Sequence, residues 1–193
     1  MNARKSVGLF SFIGERESIL IQAFWITTFA ALTAIGAQLQ IPHQPVPYTL
    51  QTFFVLLSGA LLGKRNGAIS QFLYLAAGAT GLPVFSGFGF GVARLLSPTG
   101  GYLLSFPIAA FVVGYLINQR NNLMRTIIAM GLGLFIIFSL GTLQLNGLYV
   151  HNWLEAFSGG FLIFSWWDIL KLSAAVAIYR AISYRAIKDN THR

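Results

Sequence analysis

Two oppositely charged residues lie within an apolar stretch near the end of the chain. Asp168 and Lys171 are three positions apart, and most of their neighbours between positions 161 and 182 are apolar. On a helix, positions i and i+3 share a face, so the carboxylate and the ammonium are expected to lie side by side. Ionisable groups inside membrane helices are costly and usually face a cavity or a partner. The pair predicts either a site for a polar ligand group, such as an amide, a urea or a carboxylate, or a structural ion pair between helices.

A third charged residue is a candidate for ligand binding. Arg94 is the one charged residue in a glycine-rich segment, residues 81–101. A guanidinium can bind a carboxylate through two parallel N–H donors, so Arg94 could receive the acidic end of a ligand. The alternative is an arginine that binds lipid headgroups or a loop carbonyl.

Polar and aromatic side chains at the ends of apolar stretches could complete such a site. The candidates are Gln51, Gln71, Tyr48, Thr49, Tyr74, Tyr102, Trp166 and Trp167. The glutamines could instead link helices, and the aromatic residues could instead be anchors at the membrane interface. Ala30 and Ala34 give the first helix a small-residue surface, which permits close approach of a helix from its own bundle or from another protein.

Catalytic and metal chemistry find little support in the residue content. The chain has no cysteine, and its histidines, His43, His151 and His192, are far apart in sequence. We therefore expect no metal site, no cofactor and no enzyme activity. A P-loop lysine motif is also missing from the sequence, so any ATP that drives transport must be hydrolysed by another subunit.

The elements that must position these residues are apolar helices. Of 193 residues, 55% are hydrophobic and 9% are charged, whereas a soluble domain has about 25% charged residues. The predicted spans cover residues 19–39, 49–63, 68–80, 102–117, 127–145 and 161–182. The second and third are short, so we expect one or both to be tilted, broken or sheltered by other helices. A cleaved signal peptide is the competing interpretation of the first span, but its apolar core would be only about 7–15 residues long.

The pattern predicts an all-α integral membrane protein with six transmembrane helices and a single membrane domain. Residues 1–17 would form a cytoplasmic N-terminal segment, residues 18–184 the bundle, and residues 185–193 a basic cytoplasmic tail. The segments at 40–48, 81–101 and 146–160, rich in proline, glycine or both, would form loops on the outer side, above Asp168 and Lys171.

The basic residues predict the orientation of this bundle. The net charge is +8, and eleven of the thirteen Lys and Arg residues flank apolar stretches on alternate sides. They are Arg4, Lys5, Arg16, Lys64, Arg65, Arg120, Arg125, Arg180, Arg185, Lys188 and Arg193. All eleven are cytoplasmic if the N-terminus is cytoplasmic, which predicts a multi-pass protein of the cytoplasmic (inner) membrane with both termini on the cytoplasmic side. The positive charge then indicates orientation and attraction to anionic membrane lipid, not a nucleic-acid partner.

Three runs of sequence are similar to a known family. Residues 45–53 (PVPYTLQTF), 78–85 (GATGLPVF) and 98–103 (PTGGYL) resemble the BioY family, the biotin-binding S components of energy-coupling factor (ECF) transporters. The Asp168–Lys171 pair resembles the acidic and basic pair of the same family. The matches occur in order from about Ala30 to Ala181.

The resemblance implies a membrane domain of six helices that captures biotin from the outside with high affinity. Its pocket would lie near the outer surface, beneath the loop between the first two helices and the loop between the third and fourth. Biotin has a polar ureido head, an apolar body and a carboxylate, so it requires polar groups at two ends of a greasy pocket. Our hypothesis is that Asp168 and Lys171 bind one end and Arg94 the carboxylate, while Thr49, Gln51, Tyr74 and Tyr102 line the wall. Which end meets which group is open.

The resemblance also implies a partner. Family members often join an energising module, a transmembrane coupling subunit with two ATPases, through a small-residue face of the first helix, which Ala30 and Ala34 match. Some members are thought to act without a dedicated module. Two other functions stay open: a self-sufficient secondary carrier for a small vitamin or amine that uses Asp168 as a proton or cation site, and a membrane scaffold that binds no ligand.

Overall fold

The computed structural model describes residues 18–119, 122–162 and 166–191, and this part of the chain is largely helical. The helices are α1 (Ile19–Gln38), α2 (Gln51–Ala79), α3 (Val92–Leu95), α4 (Gly100–Gln119), α5 (Leu123–Leu145), α6 (Trp153–Ala156) and α7 (Trp166–Thr191). Two short antiparallel strands, β1 (Gln40–Ile41) and β2 (Tyr48–Thr49), lie between α1 and α2. The predicted segment 1–17, with Arg4, Lys5 and Arg16, lies outside the described residues, as do Arg120, His192 and Arg193.

The second helix is broken and folds back on itself. Gly63 has φ 81° and ψ 177°, a backbone conformation that favours glycine and interrupts the helix. The amide of Gln71 donates to the Ser58 hydroxyl at 3.1 Å, although thirteen residues of straight helix would separate them by about 20 Å. Residues 51–62 and 64–79 therefore form an antiparallel hairpin, which matches the expectation that residues 49–63 and 68–80 form two short segments.

Buried polar side chains link the helices around this hairpin. Gln71 is fully buried, and its amide donates to the hydroxyls of Thr33 on α1 and of Ser58, at 3.2 and 3.1 Å. A buried amide in an apolar bundle is stable only with such partners. Of the two interpretations of Gln71, the structure therefore favours the helix-linking one.

The hydrophobic core lies where α2 packs against α1, α4 and α7, and where α4 packs against α5. At one end of the bundle, which we call the loop end, lie β1, β2 and residues 80–99. At the opposite end lie the break in α2, the end of α4 and the start of α5. Asn122 starts α5 there, because its side-chain oxygen accepts the Arg125 backbone N–H at 2.7 Å.

Three helices of the described chain are long and apolar enough to cross a membrane: α1, residues 100–117 of α4, and residues 123–150, which extend α5. A fourth span results if residues 153–161 and the first part of α7, inclined at 45°, are taken together. Large apolar side chains such as Phe24, Phe111 and Phe135 are exposed on these helices. An apolar surface of this kind is expected for helices that face lipid. The number of six spans and the side of each terminus stay predictions.

The last part of the chain differs from the sequence-based expectation. Residues 146–160 were expected to form a loop, but much of this segment is helical, with turns at Asn146–Val150, Trp153–Ala156 and Phe157–Phe161. The last long helix is described from Trp166 onward, and the helical turn that contains Phe161 precedes it. Asp168 is therefore in the first turn of α7, where the positive end of the helix dipole favours a carboxylate.

Candidate functional site

A cavity lies at the loop end of the bundle, between α2, α4, α5 and α7. The connecting segments of that end lie above it. Its volume is about 590 Å³ when the open space at its mouth is included. Seven of the candidate residues line it: Tyr48, Thr49, Gln51, Arg94, Tyr102, Asp168 and Lys171. Residues from distant parts of the sequence therefore meet in one place.

The charged pair of α7 forms one wall of the cavity. Lys171 Nζ lies 2.6 Å from Asp168 Oδ1, and both side chains are buried. Lys171 also donates to the Thr49 carbonyl and to the Thr52 hydroxyl, each at 2.9 Å. These three acceptors match the three N–H donors of an ammonium. The pair thus ties α7 to the start of α2 and also faces the cavity.

A chain of hydrogen bonds continues from this wall across the hairpin. The Thr49 hydroxyl donates to Gln51 Oε1 at 2.9 Å, and Gln51 Nε2 donates to the Tyr74 hydroxyl at 2.6 Å. The Tyr74 hydroxyl donates in turn to the Val84 carbonyl at 3.3 Å. Tyr74 is fully buried and is not part of the cavity lining. It therefore holds Gln51 from behind.

The segment that covers the cavity, residues 84–97, is called the outer arm from here on. It is anchored by Phe85, whose buried ring packs edge-on against Tyr74 with the centroids 5.5 Å apart. Gly78 makes room for this ring, since a Cβ at that position would overlap it. The Gly91 N–H also donates to the Gly78 carbonyl at 2.7 Å. The arm is therefore packed on α2 and is not a loose loop.

Arg94 projects from the arm into the cavity lining. Its guanidinium Nη2 donates to the Ser86 carbonyl at 3.2 Å, and in the described chain it makes no other hydrogen bond or ion pair. An arginine has five N–H donors, so most of those of Arg94 can donate to a ligand anion. Both interpretations of Arg94 thus find a basis, because it binds a loop carbonyl and also faces the cavity.

The remaining wall is apolar and aromatic. It includes Leu103 and Phe106 of α4 and Ile137 and Phe138 of α5. Tyr102, at the start of α4, presents its ring here, and its hydroxyl donates to the Gly160 carbonyl at 3.0 Å. The cavity therefore combines an apolar wall with polar groups on α7, on β2 and on the arm.

Several lining residues were missed from the sequence. Thr52, Ser86 and Thr99 line the cavity but were not singled out. A signal existed for Thr52 and Thr99, since both lie within the sequence runs of family resemblance, whereas Ser86 carried none. Of the aromatic candidates, Tyr48 lines the cavity, while Trp166 is 72% exposed and neither it nor Trp167 belongs to the lining.

The small-residue surface of α1 is partly turned inward. Ala30 is buried in the core of this chain and Ala34 packs against that core. The small side chains exposed on α1 are Ala23, Thr27 and Ala31, spaced four positions apart. A partner interface at Ala30 and Ala34 stays a prediction.

Comparisons with known proteins agree on one family. The model described as "BioY family" matches residues 11–188. A Thermotoga maritima protein named "Biotin transporter BioY" is 45% identical over 150 residues, which are 78% of this chain and 88% of that protein. A Pyrococcus horikoshii protein named "Probable biotin transporter BioY" is 41% identical over 153 residues, 79% of this chain and 90% of that protein.

A solved structure shares the fold. It is described as the S-component for biotin from an ECF-type ABC transporter, and its chain is 27% identical to this one. The TM-score is 0.79, and the match covers 84% of this chain and 90% of the other. The arrangement of helices around the cavity is thus that of an S component.

Proposed function

The chain belongs to the BioY family, and on that premise we propose that it binds biotin and mediates its uptake across the cytoplasmic membrane. In this proposal it is the substrate-binding S component of an ECF transporter. The family is one of transporters and not of enzymes.

The observation that carries the proposal is the charge and polarity of the cavity. Within the described chain, its charged lining residues are Asp168, Lys171 and Arg94. Two cations and one anion leave one positive charge, which complements a ligand with a single carboxylate. Biotin joins such a carboxylate to an apolar body and a polar ureido head, as the greasy wall and the separate polar groups require.

The hydrogen bonds favour one placement of the ligand. Lys171 already donates to three acceptors, whereas Arg94 donates only to Ser86 within the described chain. We therefore assign the carboxylate to Arg94 and the ureido head to the wall that contains Asp168 and Lys171. Thr49, Gln51 and Tyr102 contact the ligand between these ends, and Tyr74 supports Gln51.

The proposed topology has six transmembrane helices, with the two halves of α2 as the second and third and with both termini in the cytoplasm. Lys64, Arg65 and Arg125 lie at the end opposite the cavity, and Arg180 lies late in α7. The positive-inside rule places that end in the cytoplasm, so the cavity opens to the outside.

A partner supplies the energy in this proposal. The predicted module is a transmembrane coupling subunit with two ATPases, which docks on the helices of the S component. α1 is the candidate docking helix, through Ala30 and Ala34 or through the neighbouring exposed face.

Calorimetric titration of the purified, folded protein with biotin tests the ligand. We expect saturable heat at one biotin per chain and protection against thermal unfolding, since a ligand that binds only the folded state raises its stability. Replacement of Arg94 by glutamine should weaken binding, while replacement of Gln71, which links helices and does not line the cavity, should not. A folded sample with neither heat nor thermal protection would refute the proposal.

The rival carrier function makes a different prediction in liposomes. A secondary carrier would accumulate ligand from an ion gradient alone, with Asp168 as the ion site. Because Asp168 is already 2.6 Å from the Lys171 ammonium, its charge is compensated within the protein. We therefore expect no gradient-driven accumulation by the purified chain, and the opposite result would favour the carrier.

A further inference from the structure

Gln38, at the end of α1, holds the beginning of the outer arm. Its Nε2 donates to the Phe85 carbonyl at 3.1 Å and to the Val84 carbonyl at 3.4 Å, and its Oε1 accepts the Phe88 N–H at 3.0 Å. These contacts bracket a tight turn in which Phe85 and Gly89 exchange backbone hydrogen bonds of 3.0 and 3.1 Å. The side-chain amide of Gln38 therefore supplies hydrogen-bond partners to three backbone groups in and beside this turn.

Gln144, on α5, holds the end of the arm from the other side. Its Nε2 donates to the carbonyls of Leu95 and Ser97, at 3.1 and 3.2 Å. Leu95 directly follows Arg94 and ends the short helix α3, and Ser97 lies two residues further on. Gln144 thus supplies donors to a helix end whose carbonyls lack partners within the helix.

Both contacts converge on Arg94. The turn held by Gln38 contains Ser86, whose carbonyl accepts the Arg94 guanidinium. The carbonyls held by Gln144 belong to the first and third residues after Arg94. One glutamine therefore orients the side chain of Arg94 through its acceptor, and the other fixes the backbone from which that side chain projects.

We propose that Gln38 and Gln144 are positioning residues that set the preference of the site for a ligand with a carboxylate, by fixing Arg94 over the cavity. This inference rests on the proposed function and assigns the discrimination to residues outside the cavity lining. A fixed guanidinium is aligned for bidentate binding before the ligand arrives, so little ordering remains to be done on binding.

The test compares two probes, biotin and its uncharged carboxamide, on the purified full chain. For each variant, the ratio of the two dissociation constants measures the preference for the carboxylate. We expect the wild type to prefer biotin and Arg94→Gln to lose this preference. Gln38→Met and Gln144→Met, which retain side-chain length without hydrogen bonds, should each lower the preference about tenfold, corresponding to one or two hydrogen bonds to a charged ligand. Affinity for the carboxamide should change less than about threefold.

The controls separate positioning from folding. Gln22→Met replaces another glutamine of α1, which is bonded to Asn66 far from the arm, and should leave the ratio unchanged. In the Arg94→Gln background, Gln38→Met should have no further effect on the ratio, because residues that act through a shared group are not additive.

Each other outcome has a definite meaning. If the wild type binds neither probe, the proposed function itself fails. If the wild type binds biotin but the glutamine variants weaken both probes equally, or if Arg94→Gln retains the preference, the positioning role is overturned while biotin binding stands.

Discussion

Lys171 Nζ on the last helix lies 2.9 Å from the backbone carbonyl oxygen of Thr49, a residue 122 positions earlier in the chain. The contact joins the start of α7 to the strand that leads into α2. With Thr52 and Asp168 as further acceptors, Lys171 is both a structural crosslink and part of the cavity wall. The structural ion pair and the ligand site, which the sequence offered as alternatives, are therefore compatible in one pair of residues.

Removal of the ammonium alone should be more harmful than removal of both charges. We expect Lys171→Met to destabilise the protein by about 3–5 kcal/mol, since Asp168 is 1% exposed and would lose its countercharge. The double variant Asp168→Asn, Lys171→Met should recover much of that stability. Its affinity for biotin should remain lower than that of the wild type. Unfolding and calorimetry in the same detergent measure the two effects. Equal stability of the single and double variants would contradict the buried ion pair.

The hydroxyl of Tyr74 should matter for binding although it is outside the cavity lining. Tyr74→Phe removes the acceptor of the Gln51 amide and the donor to Val84. One such hydrogen bond contributes about 1 kcal/mol, so we expect biotin affinity to fall about fivefold. Tyr115→Phe, at the opposite end and 47% exposed, is the matched control and should not change the titration. Unchanged biotin affinity in Tyr74→Phe would show that the hydrogen bond from Gln51 to Tyr74 does not contribute to binding.

A methyl group at Gly78 should displace the anchor of the outer arm. Gly78→Ala forces the buried Phe85 ring to move, and we expect a loss of about 1–3 kcal/mol together with weaker biotin binding. The control is Gly131→Ala in α5, where a Cβ meets nothing within 4 Å. That change should be neutral or should stabilise the helix by about 0.5–1 kcal/mol. Thermal unfolding of the two variants, compared side by side, decides the matter: similar shifts would mean that Phe85 is not packed against Gly78.

Two neighbouring alanines of α1 should respond differently to the same enlargement. Ala30 is 8% exposed within the core, so Ala30→Leu should overpack it and lower stability by about 1–3 kcal/mol. Ala31 is exposed, and Ala31→Leu should leave unfolding unchanged. If α1 docks on a coupling subunit through its exposed face, Ala31→Leu should reduce co-purification with that subunit without loss of fold. A stable Ala30→Leu would contradict the inward orientation of Ala30.

Much of the candidate site could be predicted because it depends on local rules. Asp168 and Lys171 pair because positions i and i+3 share a helix face, and this pairing does not depend on the rest of the fold. The glycines and prolines of residues 81–101 marked a covering segment. Arg94 was conspicuous as the one charged residue in it.

Other assignments needed the distances between segments. Gln51 and Gln71 looked equivalent in the sequence, yet one lines the cavity and the other links α1 to the hairpin. Gln38 and Gln144 carried no signal, because their partners are backbone groups that almost any residue could supply. The helical turns within residues 146–160 were also missed, since the glycines of this segment are typical of loops.

The sequence by itself determined that this chain is an apolar, helical membrane protein. It also located a charged pair in the last apolar stretch and an arginine in the glycine-rich segment, and its motifs indicated the family. Those properties follow from composition and from periodicities of a few residues. Only the tertiary structure decided which face of each helix meets the cavity, because helix rotation is set by packing between residues distant in sequence. For the same reason, only the structure brought Thr49 to Lys171 and placed Tyr74 behind Gln51.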